Sequence, residues 1–152
     1  GLSELDLSIT GLGPAAGAGL AELLRSCRSL EKLNLNKNPQ LGDTAGAALA
    51  EALRANAETK LRTLYLDDTG LGTAAGASFA ALLRTNRSLD KLRLDANSAL
   101  GDSADVALAG ALRENGETKL RTLTLNGSDM GSAAREAFEE LKRTRPQIDV
   151  TR

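Results

Sequence analysis

LEKLNLNKNPQLGDTAGAALAEALRANAETK, residues 30–60, returns in the same phase as LDKLRLDANSALGDSADVALAGALRENGETK, residues 89–119. Each begins with LxxLxL, and the phrase recurs at Leu2-Leu5-Leu7, Leu61-Leu64-Leu66 and Leu120-Leu123-Leu125, with a shortened echo at Ile148-Asp149-Val150. Short and long spacings alternate along these starts, so the true period is a double unit, running from Leu2 to Leu61 and from Leu30 to Leu89. The short units match each other as well, GLGPAAGAG from Gly11 answering GLGTAAGAS from Gly70. A period of this length, held in phase along the whole chain, marks a solenoid of stacked supersecondary units.

The hydrophobic pattern changes its period inside each unit. In LRTLYL, Leu61, Leu64 and Leu66 face inward while Arg62, Thr63 and Tyr65 stay outside, as in a short strand entered from a turn. Asp43, Thr73, Asp102 and Ser132 each follow a glycine and read as helix N-caps. Beyond them Ala45, Leu49, Ala52 and Leu53 recur at spacings of three and four, one apolar stripe of a helix. Small residues on that stripe are expected to let the helix lie close to the strand layer. A strand occupies about 4.8 Å of the stack and a helix about 10 Å, so the two layers differ in length and the stack curves. The expected fold is α/β: a short horseshoe with a parallel sheet on its concave face and helices on its convex face, stabilised as a nearest-neighbour sum.

The composition narrows the chemistry. The 19 Lys+Arg against 20 Asp+Glu leave a formal charge of −1, which gives nucleic acid or an anionic membrane no general hold. There is no His and one Cys, Cys27, which excludes histidine acid–base catalysis, His/Cys metal cages, Ser-His-Asp triads and an internal disulfide framework. Only 2% of residues are aromatic, so the core is aliphatic. No apolar run approaches the roughly 18 residues of a membrane span, and GLSELDLSIT lacks the regions of a signal peptide. A cytoplasmic chain is expected. Two glycosylation-type triplets, Asn86-Arg87-Ser88 and Asn126-Gly127-Ser128, point toward secretion, but such triplets are common by chance and no disulfide pairs accompany them, so secretion is not the reading adopted.

The phrases LxxLxLxxN and LGDTAGAALAEALRAN resemble the leucine-rich repeats of the ribonuclease-inhibitor type, a group that includes repeat domains of NLR receptors, Ran GTPase-activating protein and tropomodulin/leiomodin. The endings LRTNRSL from Leu83 and LRANAETKL from Leu53 are similar to the tropomodulin group. The resemblance implies a leucine-rich repeat solenoid over residues 1–152, with repeats 2–29, 30–60, 61–88, 89–119 and 120–147 and a partial strand at 148–152. The ninth position is Asn in the long repeats (Asn38, Asn97) and Thr or Ser in the short ones (Thr10, Thr69, Ser128), an alternating ladder for the turn backbone. The charged last helix from Ser132 reads as a cap. The first repeat begins without one, which is read as a fragment cut from a longer protein.

Four groups of residues are candidates for a site. Gly70, Gly72 and Gly76 after a strand imitate a dinucleotide loop, but Gly11, Gly13 and Gly17 repeat them, as turns and close packing require. Asp67 and Asp95 share a phase in adjacent coils, where a weak calcium site or a mutually raised pKa competes with a solvated acidic rim, the reading adopted. Cys27, between Arg25 and Arg28, is read as a bystander thiol, slightly acidified by its basic neighbours. No catalytic residue, cofactor or metal site is assigned.

The concave face supplies the fourth group. Alternate positions of the first four coils place Glu4 and Asp6, Lys32 and Asn34, Thr63 and Tyr65, Lys91 and Arg93 on it, followed by Thr122 and Thr124. Lys32, Asn34, Tyr65, Asp67, Lys91, Arg93 and Thr124 form the expected protein-binding patch, with the lone Tyr and a neighbouring Arg as its hot spot. The expectation is a monomeric, non-enzymatic module that binds another protein. The alternatives are an actin-binding regulator resembling tropomodulin, and a structural or designed scaffold without a partner.

Overall fold

The computed structural model describes residues 1–127 and 130–152. Six three-residue strands, β1 (Glu4–Asp6), β2 (Lys32–Asn34), β3 (Thr63–Tyr65), β4 (Lys91–Arg93), β5 (Thr122–Thr124) and β6 (Asp149–Thr151), form one parallel sheet in chain order. Each of the first five is followed by a helix: α1 (Ala16–Ser26), α2 (Asp43–Ala55), α3 (Thr73–Leu83), α4 (Gly101–Glu114) and α5 (Ser132–Thr144). Each helix packs on the next, giving the helical layer of the expected α/β solenoid.

The register follows the repeat. Leu5, Leu33, Leu64, Leu92 and Leu123 stand side by side. The last strand joins one position early: Val150 pairs with Leu123, where the spacing from Leu64 to Leu92 would place Thr151. Leu33, Leu64, Leu92 and Leu123 have no exposed surface, nor have Leu35, Leu66, Leu94 and Leu125 further along each coil. Beyond each of β1–β4 the chain turns through a left-handed residue at one repeat phase, Ile9 (φ 54°), Lys37 (φ 61°), Asp68 (φ 51°) and Ala96 (φ 57°), and beyond β5 through Gly127 (φ 87°). Side chains disfavour this region by about 1–2 kcal/mol. It persists because the same backbone continues the inter-coil ladder, for example Lys37 N–H to Asp67 O at 2.8 Å and Asp68 N–H to Asp95 O at 2.8 Å.

Two expectations need correction. The small residues do not chiefly bring helix to sheet; they bring helix to helix. A Cβ on Gly17 would stand 2.6 Å from Ala45 Cβ of α2, and one on Gly76 would collide with Ala104 of α4. The helix N-caps also differ. α2, α3 and α5 begin at Asp43, Thr73 and Ser132, but no N-cap side chain bonds to its own helix. Instead Asp43 Oδ1 accepts from Gly72 N–H (2.8 Å) and Ala75 N–H (2.7 Å), capping α3 of the next coil. Asp102 caps α5 in the same way, through Gly131 (2.9 Å) and Ala134 (3.2 Å).

The opposite junctions use asparagine. Asn97, 2% exposed, donates to Leu66 O, Leu94 O and Asp95 O and accepts from Thr69 and Leu71 N–H. Asn38 does the same for the first two coils, donating to Leu7 O and accepting from Thr10 and Leu12 N–H. At the other end of the helices, Asn56 donates to Leu24 O and Cys27 O, and Asn115 to Leu83 O and Asn86 O. Short-to-long junctions are therefore tied by asparagine at both ends, and long-to-short junctions by aspartate at a helix N-terminus. Ser128, in the expected ladder and in the second glycosylation-type triplet, lies outside the described residues. The first triplet is a turn: Asn86 Oδ1 accepts from Ser88 N–H (3.0 Å) and Leu89 N–H (2.8 Å).

Candidate functional site

The outward positions of β2, β3 and β4 converge on Tyr65. Register puts Asn34, Tyr65, Arg93 and Thr124 in one row and Lys32, Thr63, Lys91 and Thr122 in the row beside it. Parallel strands stand about 4.8 Å apart, so cations on both neighbouring strands reach the ring. Lys32 Nζ lies 5.3 Å from the ring centroid, Arg93 Cζ 5.3 Å and Lys91 Nζ 5.9 Å. All three cations lie within about 6 Å of the centroid, the range in which a cation is attracted to the face of an aromatic ring, and together they hold the half-buried tyrosine in place.

Arg93 is fixed from its other side. Its guanidinium is 2.7 Å from Asp67 Oδ2 and 3.4 Å from Asp95 Oδ2. The two carboxylates are not the solvated rim expected from sequence: their side chains are 14% and 16% exposed. Each also accepts a backbone bond from the following coil. Asp67 Oδ1 takes Asp95 N–H (2.9 Å) and Asp95 Oδ1 takes Asn126 N–H (2.8 Å), while Asn36 Oδ1 takes Asp67 N–H (2.7 Å). Burial pushes the Asp67 carboxyl above the usual carboxylate range, the charge of Asp95 adds to this, and the Asp95 N–H and Arg93 oppose it. Among the described residues, no group of three or more His, Cys, Asp or Glu is arranged to hold a metal ion.

The structure thus brings together Lys32, Tyr65, Asp67, Lys91 and Arg93. Asn34 turns to its own coil, accepting from Asn36 N–H at 3.0 Å. Thr124 closes the row, its Oγ1 buried and without a hydrogen-bond partner among the described residues, as is Arg93 Nε. Cys27 stands apart, half-buried; its thiol is lowered by hydrogen bonds from Ser29 and Leu30, with burial opposing, and not by the flanking arginines. The glycines of the imitated nucleotide loop have structural posts. Gly70 (φ 71°) is a left-handed turn against Pro39 O, and Gly76 admits Ala104. Sequence reading missed Asn56, Asn115 and Asp105. The first two carried a signal, since both stand at one phase of the double unit.

Residues 26–50, from the end of α1 through β2 into α2, match the family profile described as Leucine Rich repeat. The chain is a leucine-rich repeat protein. Over 98% of its length it is 35% identical to the mouse and 36% identical to the human NACHT, LRR and PYD domains-containing protein 12. The chain spans 14% of the length of these relatives. A solved structure described as leiomodin-1 actin-binding site 2 shares the fold: TM-score 0.73 and 19% identity, covering 93% of this chain and 79% of that one. No helix among the described residues is long and apolar enough to cross a membrane.

Proposed function

We propose that this leucine-rich repeat protein is a non-enzymatic interaction module that docks a partner protein on its concave sheet, with Tyr65 and Arg93 at the centre of the contact. The observation that carries the reading is the immobilised ring. A partner meets an aromatic surface already held by Lys32, Lys91 and Arg93, and Arg93 is itself held by Asp67, so little side-chain freedom is lost on binding. Asn34 and Thr124 extend the row on either side, and the mixed charges set orientation and association rate. The unit acts as a monomeric single domain in the cytoplasm, without cofactor, metal, nucleic acid or membrane.

The test is an affinity comparison. Against a partner recovered with the wild-type protein, Tyr65→Ala and Arg93→Ala should each weaken binding by about 2 kcal/mol, and Glu51→Ala on the convex side should be silent. A partner indifferent to Tyr65 and Arg93 but lost on changing the helices or the loop residues Pro39 and Gln40 would sink the concave reading.

A second reading, an actin-binding regulator, is favoured by one observation, the shared fold with the leiomodin-1 actin-binding site 2. Co-sedimentation with purified actin decides it. No shift of this protein into the filament pellet, and no change in polymerisation rate, would remove that reading.

A further inference from the structure

At the end of the sheet where the chain enters each strand lies a groove of about 570 Å³. The repeated phrase TKLR, residues 59–62 and 118–121, contributes to it at both occurrences, through Lys60 and Arg62 and through residues 118–121, and Arg87, Ser88 and Asp90 line it between them. Lys60, Arg62, Arg87, Lys119 and Arg121 line it. Against these five cations stand two carboxylates, Glu31 and Asp90, a local charge of +3 on a chain whose formal charge is −1. Arg87 is paired with Glu117 (2.8 Å) and Arg121 loosely with Asp90 (3.8 Å). Lys60, Arg62 and Lys119 have no ion pair among the described residues.

The chemistry of an occupant follows from what the groove lacks. Successive backbone amides are not free there: Arg62 N–H bonds to Glu31 O, Asp90 N–H to Arg62 O and Arg121 N–H to Asp90 O, each 2.8 Å, and Leu61 and Leu120 N–H bond to the Thr59 and Thr118 hydroxyls. No nest of N–H groups is left for a phosphate. No aromatic side chain lines it for a base to stack on, and Glu31 and Asp90 would repel a continuous phosphate backbone. Carboxylates spaced between such acids suit it better, since an arginine takes a carboxylate through two parallel bonds.

The spacing is set by the fold. Thr63, Lys91 and Thr122 pair in register, so the Lys60–Arg62 and Lys119–Arg121 pairs stand two strands apart, about 10 Å. In an extended polyproline II segment, residues three apart share a face and lie about 9.3 Å apart. We propose that this groove binds an acidic, extended polypeptide segment whose carboxylates recur every third residue, one to each Lys–Arg pair. The site is separate from Tyr65 and stands or falls without it.

The probe is a fluorescein-labelled peptide of about twelve residues repeating Glu-Pro-Pro, read by anisotropy at low ionic strength, with Gln-Pro-Pro as its neutral counterpart. The Glu peptide should bind, weakening with added salt, and the Gln peptide should not. Lys60→Glu with Lys119→Glu should weaken binding by about tenfold or more, whereas Arg25→Glu with Arg54→Glu on α1 and α2, equal in charge, should change it less than about twofold. Lys60→Gln with Lys119→Gln, milder toward the fold, should lose at least about threefold, with circular dichroism melts verifying that each variant is folded. Equal binding of Glu and Gln peptides would overturn the proposal. So would equal loss in the two reversal pairs, or tighter binding of oligo-deoxythymidylate at the same residues.

Discussion

Replacing Asp105 with alanine should make this protein more stable, by an amount that depends on pH. Asp105 lies inside α4 at the repeat phase that Gly46 occupies in α2. It has no exposed surface, and neither carboxylate oxygen has a hydrogen-bond partner among the described residues. Gly46 faces Leu71 and Ala75, and the residues at those phases in the later unit are Met130 and Ala134, both buried and apolar. Burial, helped by the charge of Asp102, pushes the carboxyl from its ordinary 3.8 up to about 6. The folded chain thus holds this proton more tightly than the unfolded chain. Stability from this group is fully present below pH 3.8, declines as pH rises toward 6 and is lost above it. Integrated over that window, the loss is about 3 kcal/mol at pH 7.5 and about 1 kcal/mol at pH 4.5. Urea melts of the wild-type protein and Asp105→Ala at those two pH values measure the difference directly, because every other carboxylate titrates in both chains. Asp105→Asn should lose the pH dependence yet gain less, since its amide remains buried without partners. An alanine variant that is less stable at pH 7.5, or a gain equal at both pH values, would refute the reasoning.

Leu66→Ala, in a fully buried strand-end position, should destabilise by about 2–5 kcal/mol, and Tyr65→Ala beside it by much less; the reverse order in denaturant melts would mean that the faces are exchanged. Asn97→Ala leaves the Thr69 and Leu71 N–H groups without their acceptor and takes one donor from each of the Leu66 and Leu94 carbonyls, so a loss of about 2–4 kcal/mol is expected in the same melts. Thr69→Ala, which removes mainly the hydroxyl bond to Leu66 O, should be milder, about 1 kcal/mol.

The fold was legible because its two decisive signals are local. LxxLxL names the strand and the faces, and its recurrence names the neighbour in register. The ladder at Asn38 and Asn97 was legible for the same reason, being one residue type at one phase. What escaped depends on residues a whole coil away. The caps at Asp43 and Asp102 looked as if they served their own helices because an acid after glycine is a familiar helix start, whereas their acceptor geometry is completed by the next coil. Asp67 and Asp95 read as solvated because strand-end acids usually are; only the stacked coil shows the N–H each accepts and the arginine between them. Asp105 hid behind an ordinary difference between two otherwise matching helices, Gly46 in one and Asp in the other. Whether that position meets water is decided by the helix laid over it. The basic groove escaped because its cations come from four coils and none is unusual alone.

The two kinds of junction also constrain how the chain can change in length. Removing one long coil, residues 30–60, would set the short first coil against another short coil and bring Thr69 to the place of Asn38, leaving the Thr10 and Leu12 N–H groups unanswered. Removing residues 30–88 instead would bring Asn97 to that place, and every tie would find its counterpart. The heritable building block of this protein is therefore the pair of coils, and duplications or losses that preserve a sound stack add or remove a short and a long coil together.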